Sequence, residues 1–248
     1  MNSYLKTIVF AIILLSTPYY NYAQQQRSIN HQSQTWFSIN STVKVKGNFG
    51  FLADIHVRRT NFLANSNLYI VRGAVNYWVN TNLSFALGYG HLWLAPATNG
   101  YKKYSNENRI YQQVQYSSRI GKISLVQRLK TEQRWQEIMI QDKSTHGYKF
   151  SNRIRLLESF SINLSKKKHF PSLVIADELA VQFGKDVVYN TFDQNRLFIG
   201  LKQSITSTLS FDIGYMYVTQ QRSSGYQYDE NDTFRWFFYY TPDLRKKK

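Results

Sequence analysis

The sequence predicts an all-β chain: a closed antiparallel transmembrane β-barrel of about 12 strands, with about 10 as the alternative. Three observations predict it. From Gln34 onward, apolar side chains recur at every second position, with no sustained 3.6-residue period. The alternating segments run for about 10–15 residues, beyond the roughly 5–6 of an ordinary soluble strand and long enough for the roughly 9–11 that a tilted spanning strand needs. Finally, tight connections alternate with longer ones, the asymmetry between the two ends of an outer-membrane barrel.

The N-terminus reads as a cleaved secretory signal over 1–23: Lys6, an uncharged run from Ile8 to Leu15, Pro18 as a breaker, and Ala23 before three glutamines. The apolar run is too short for a spanning helix, which needs about 20 residues. Residues 24–33 form a short N-terminal segment, 34–241 the barrel, and 242–248 a basic tail ending in Lys246, Lys247 and Lys248.

Within the barrel the alternating segments are 34–46, 48–59, 66–78, 82–94, 108–120, 122–135, 148–162, 172–184, 194–205, 208–220 and 232–241. In the second, Phe49, Phe51, Ala53, Ile55 and Val57 share one face; in the fourth, Leu83, Phe85, Leu87, Tyr89, His91 and Trp93 do. Tight turns are expected at Lys46-Gly47-Asn48, Asn80-Thr81-Asn82, Gly121 and Thr206-Ser207, with a moderate connection at 163–171. Longer ones fall near 60–65, 95–107, 136–147, 185–193 and 221–231. A soluble sandwich or lipocalin-like barrel also alternates, but it would have to fit all these rows of Phe, Tyr, Leu and Ile inside its lumen. Loop alternation makes the first and last segments run in the same direction. That implies an odd count, against the even-numbered habit of bacterial barrels. Either 24–33 supply a further half-strand, which recovers the even number, or those residues thread the lumen, or one connection is misread.

Parity then assigns the other face to the interior. It carries Arg72, Arg109, Arg128, Lys130, Arg134, Arg153, Arg155, Arg196 and Lys202 against Asp54, Glu132, Glu178 and Asp212, an excess of cations in a chain whose formal charge is +16. Arg128, Glu132, Arg134, Arg153 and Arg155 fall on consecutive strands and should be cross-strand or diagonal neighbours, with Glu178, Gln194 and Arg196 on the next two. Two uses fit this lumen network. The charges can cross-link a narrow interior, since buried charges require partners, or the surplus cations can bind or pass an anionic solute. Gln127, Asn152, Glu158 and Asp177 fall on the lipid parity, and a β-bulge would account for Asp177.

No cysteine is present, which excludes disulfides, thiolate metal sites and a lipid-anchored N-terminal cysteine. His31, His56, His91, His146 and His169 have no metal-ligand spacing, and neither a phosphate loop nor a nucleophile elbow occurs. His91 and Ser84 lie on opposite faces of one strand. No catalytic residue, metal or cofactor is therefore assigned. Nucleic acid is a poor partner, because the cations point mainly inward and the chain is exported.

Several stretches resemble the DUF2490 family of exported β-barrel proteins. They are Val126-Gln127-Arg128-Leu129-Lys130-Thr131-Glu132-Gln133-Arg134-Trp135, Asn152-Arg153-Ile154-Arg155-Leu156, Asp177-Glu178, Phe192-Asp193-Gln194-Asn195-Arg196 and Gly214-Tyr215-Met216. The likeness extends over about 34–241. It implies a barrel in a Gram-negative outer membrane and implies no activity. Where many such barrels end on an aromatic residue, Tyr239 and Tyr240 are followed here by eight more residues. The expected protein is a monomer with outer-membrane lipid and the barrel-assembly machinery as partners. Its expected role is a small conduit or binding barrel for anionic or polar solutes. A structural barrel plugged by its own salt bridges stands second, and a membrane-embedded lipid-modifying enzyme third.

Overall fold

The computed structural model describes residues 26–96, 98–165 and 170–245. The signal segment 1–23, the lysines at 166–168 and the last three lysines lie outside the described residues. Eleven strands follow one another: β1 (Ser28–Lys46), β2 (Phe49–Thr60), β3 (Asn65–Trp78), β4 (Leu83–Leu94), β5 (Ser105–Ile120), β6 (Ile123–Ile140), β7 (Lys143–Asn163), β8 (Ser172–Phe183), β9 (Phe192–Ser204), β10 (Leu209–Gln221) and β11 (Gln227–Tyr240). Each pairs antiparallel with its sequence neighbours, and β1 closes the barrel against β11.

That closure corrects the expected count of 12, or 10, antiparallel strands. Every connection between consecutive strands reverses the chain, so the first and eleventh strands run the same way and close in parallel, with Ser28 opposite Gln227 and Ser41 opposite Tyr240. No extra half-strand is needed. Residues 28–33, expected to be a separate segment, are the first residues of β1, extending it alongside β11. Arg27 Nη2 donates to Glu230 Oε1 at 2.6 Å and Asn30 Nδ2 to Asp229 Oδ1 at 2.8 Å, fastening the seam at that end. At the other end the seam continues past β11: Lys44 N donates to the Pro242 carbonyl at 3.1 Å and Leu244 N to the Lys44 carbonyl at 2.8 Å. The start of the basic tail is thus stitched to β1, and the Asp243 carboxylate is held at about 2 by the Arg245 guanidinium beside it.

The alternation of tight and longer connections holds only in part: 61–64 is no longer than the turns at 79–82 and 205–208, and 164–171 is as long as 184–191. The segment 136–147, expected to be a loop, is a hairpin in which β6 and β7 extend to a two-residue turn. Gln141 and Asp142 there have φ of 47° and 60°, the successive positive values of a type I′ turn. Ile138, Met139 and Ile140 carry β6 onward through a bulge between Glu137 and Met139. The Asp142 carboxylate accepts from the backbone N–H of Lys102 at 3.0 Å and of Lys103 at 2.7 Å, tying the 95–104 loop to this hairpin. Those two amides hold its carboxyl below the usual aspartate range.

Parity sorts the side chains as expected. Phe51, Ile55, Val75, Leu87, Leu129, Leu197 and Ile199 stand outward and exposed. Polar residues on that face satisfy one another: Gln127 Nε2 donates to Glu158 Oε1 at 2.8 Å and Asn195 Nδ2 to Asp177 Oδ1 at 2.7 Å. No bulge turns Asp177 inward; the irregularity lies further along β8, between Ala180 and Val181. His91 also faces outward, against Asn108 and edge-on to Trp93. Inside, one apolar cluster joins Trp36, Val174, Ala176, Phe198, Met216 and Val218, with Leu157 and Phe237 packed on it. Close approach of the β3, β4 and β5 side chains depends on two glycines. A Cβ on Gly88 would meet the Tyr111 ring, and one on Gly90 would meet the Arg72 stem.

Candidate functional site

The long-loop half of the lumen is filled by a connected network of carboxylates and guanidiniums. Glu132 on β6 lies opposite Arg153 on β7, as the sequence spacing implies. Arg153 donates to Glu132 through Nε at 2.7 Å and through Nη2, and its Nη1 donates to Asp193 Oδ2 at 2.8 Å. Arg155 Nη1 donates to Glu132 Oε1 at 3.0 Å and its Nη2 to Glu178 Oε1 at 2.5 Å. Glu178 also accepts from Arg128 Nη2 at 2.6 Å and Arg196 Nη1 at 2.8 Å. On the other side of Glu132, Arg109 Nη1 stands 3.6 Å away, and both Arg109 and Arg134 donate to Glu107, at 2.6 and 2.7 Å. Arg134 extends the network to Gln182 at 3.1 Å.

Of the lumen residues expected from sequence, Arg128, Glu132, Arg134, Arg153, Arg155, Glu178 and Arg196 are therefore brought together. Gln194 is buried on the inner face, but among the described residues no hydrogen bond joins it to these groups. Its neighbour Asp193 takes that place. The bulge pairs Val181 with Phe192 and Ala180 with Gln194, leaving Asp193 as the extra residue, and both Asp193 and Gln194 are buried. Strict alternation puts Asp193 outside, so only the bulge reveals it.

Glu107, Arg58, Arg235 and His56 were not marked by sequence. Glu107 precedes the first recognisable alternation of its strand, whereas Arg58 shares the parity of Asp54 and was readable. Arg235 shares its face with Phe237, which obscured the polar pattern. Arg235 Nη2 donates to Asp212 Oδ2 at 2.8 Å, and Tyr239 OH donates to the same oxygen at 2.6 Å. Asp54 is paired with Arg72 at 2.7 Å.

Ser38, His56 and Asp54 also meet, yet not as a catalytic relay. The Ser38 hydroxyl at 3.4 Å, the Asp54 carboxylate at 2.9 Å and Arg72 Nη2 at 2.9 Å all converge on His56 Nε2, while the buried Nδ1 has no partner. A relay needs the carboxylate and the hydroxyl on opposite ring nitrogens.

Glu107, Glu132 and Arg153 are 0%, 1% and 4% exposed, so the long-loop half of the barrel is closed. Beneath them lies a cavity of about 980 Å³, lined at its deep end by Arg58, Arg72, Lys130 and Arg155 and, towards the tight-turn end, by Ser41, Arg119, Lys122 and Ser204. Two of its deep cations lack a carboxylate in ion-pair contact among the described residues. Arg58 lies on the Trp36 ring at 3.4 Å, its buried Nε has no hydrogen-bond partner, and the charges acting on it most strongly are those of Arg196, Arg155, Arg72 and Arg109, all cationic. Lys130, 5% exposed, sits over the Tyr111 ring at 4.2 Å among Arg72, Arg128 and Arg155, with the Glu132 carboxylate acting on it from beyond ion-pair distance. The chemistry available is that of fixed guanidinium and ammonium donors, which suit an anionic group, in a site largely removed from water.

Comparison with known proteins places the chain among relatives without assigned activity. The model of the family described as "Protein of unknown function (DUF2490)" matches residues 33–229. An uncharacterised protein of Methylorubrum extorquens is 29% identical over 205 residues, which cover 79% of this chain and 82% of that protein. No solved structure matches the chain. The barrel with its inward-facing arginine network belongs to the DUF2490 family.

Proposed function

We propose that this protein is a monomeric outer-membrane barrel of a Gram-negative envelope, exported by a cleaved signal, that binds a small anionic solute in a blind vestibule. Arg58 and Lys130 carry the reading: two cations set deep in a cavity with no carboxylate in ion-pair contact among the described residues. Burying a charge without a counter-ion is costly, so a site that retains two is suited to an anion that supplies the missing charge. The outward belt of Phe, Leu, Ile and Val on strands of at least 12 residues supports placement in lipid, with membrane lipid and the assembly machinery as partners. With the tight turns in the periplasm, the vestibule opens to the periplasmic side.

The closed network above the vestibule favours a receptor over a conduit. The refolded protein in planar bilayers should then show no stepwise conductance. In nanodiscs of neutral lipid it should bind butyrate or inorganic phosphate with an affinity that falls in Arg58→Gln. Anion-selective conductance would favour a conduit. Silence in both assays would favour a structural barrel plugged by its salt bridges.

A further inference from the structure

The outer surface of the barrel differs from one side to the other. On β2–β4 the outward positions are apolar: Phe51 and Ile55, Val71 and Val75, and Phe85 and Leu87 all stand exposed. Across β5–β9 a polar stripe interrupts the same belt. Thr131 Oγ1 donates to Gln112 Oε1 at 2.6 Å and Gln112 Nε2 to Gln133 Oε1 at 3.1 Å, joining β5 to β6. Farther round, Glu158 on β7 and Asp177 on β8 are direct register partners, two carboxylates side by side on the outside of the barrel. Each accepts from a neutral amide, Gln127 at 2.8 Å and Asn195 at 2.7 Å, and neither has an ion-pair partner among the described residues. The pair lies within the apolar belt. Two outward rows, Phe160 with Ile175 and Ile162 with Leu173, separate it from the 164–171 connection, and on its other side Leu156 faces Leu179.

A carboxylate in an apolar zone costs free energy unless a counter-charge meets it, and a like charge directly opposite adds to that cost. The barrel's own cations at this level do not meet it, because Arg128, Arg155 and Arg196 point into the lumen. We propose that the β5–β9 outer face is a docking surface for another membrane-embedded protein, one whose lipid-facing side carries a lysine or arginine that seats against Glu158 and Asp177. This rests on the outer-membrane placement proposed above and is independent of the anion seat. Gln112 and Gln133 flank the contact with amide donors and acceptors that suit a polar neighbour. A second copy of this chain fits less well, since two-fold pairing through one face sets carboxylate against carboxylate.

The test is photo-crosslinking in the cells that produce the protein, with a benzophenone amino acid at Leu156, exposed beside the carboxylates, or at Val75 on the apolar side as control. Leu156 should yield a discrete protein adduct and Val75 none, and mass spectrometry should map the crosslink to a partner segment bearing a lysine or arginine. Glu158→Gln combined with Asp177→Asn removes both charges yet leaves an oxygen to accept from each neighbouring amide. Adduct yield should then fall about tenfold or more, the scale of losing an ion pair from a desolvated contact. Heat-dependent gel mobility verifies that each variant still forms the barrel. No adduct at Leu156, an equal one at Val75, a yield that ignores the double change, or an adduct made of two copies of this chain would each overturn the docking inference. A barrel recovered without detergent from the soluble fraction would sink the membrane placement itself.

Discussion

Glu132→Gln is the most informative single substitution, because one carboxylate there serves three guanidiniums. Glu132 is 1% exposed, accepts from Arg153 at 2.7 Å and Arg155 at 3.0 Å, and lies 3.6 Å from Arg109. Neutralising it leaves those cations one counter-charge short in a closed space. The glutamine amide also turns a donor towards groups that only donate. Removing one partner of a buried pair costs about 3–5 kcal/mol, and the shared hub places this case near 4 kcal/mol. Water screening would reduce the cost to about 1 kcal/mol or less, but it requires an exposure that Glu132 lacks. The Arg222–Asp229 pair makes the contrast, since the Arg222 side chain is 45% exposed, and Asp229→Asn should cost no more than about 1 kcal/mol. Urea unfolding followed by tryptophan fluorescence measures both. Adding Arg155→Gln to Glu132→Gln should recover part of the loss, because Glu178 keeps Arg128 and Arg196. A Glu132→Gln barrel within about 1 kcal/mol of the parent would refute the packed-network account.

Arg58→Gln should leave stability unchanged or raise it by about 1 kcal/mol, since it removes a buried charge without a carboxylate partner, and the same urea titration reads the sign. The parallel β1–β11 seam puts the start of β1 and the end of β11 at opposite ends of the barrel. With the tight turns in the periplasm, as proposed, an epitope inserted just before Arg27 should be reached by antibody on intact cells, and one inserted after Arg245 only after permeabilisation; equal access to both would contradict it. Because the folded Asp142 carboxyl titrates lower than in the unfolded chain, its clasp on the 95–104 loop is fully present above the ordinary aspartate range. It is lost as pH falls through the lowered value. Protection of the Lys102 and Lys103 amides, taken relative to the intrinsic exchange rate at each pH, should be present at neutral pH and lost only in strong acid. Asp142→Ala should abolish that protection at every pH.

Period-two alternation by itself determined that Phe51, Ile55 and Leu87 face outward and that Glu132, Arg153, Arg155 and Glu178 face in, because successive side chains on a strand leave opposite faces. Strand length and turn chemistry likewise placed the hairpins other than the one at 141–142, and the spacing on consecutive strands made Glu132 and Arg153 neighbours. Other features belong to the closed barrel alone. Whether the ends meet in parallel depends on which edge reaches which, so the eleven-strand seam emerges only on closure. A bulge between β8 and β9 sends Asp193 inward against its parity, and local alternation carries no mark of it. Which cations are neutralised is decided by where long, flexible side chains from non-adjacent strands meet across the lumen. Arg128 reaches Glu178 from two strands away, while Arg58 finds only an indole face and other cations. The charge of the lumen was therefore written in the sequence, whereas its division into a closed network and a blind basic vestibule came from the three-dimensional convergence of those side chains.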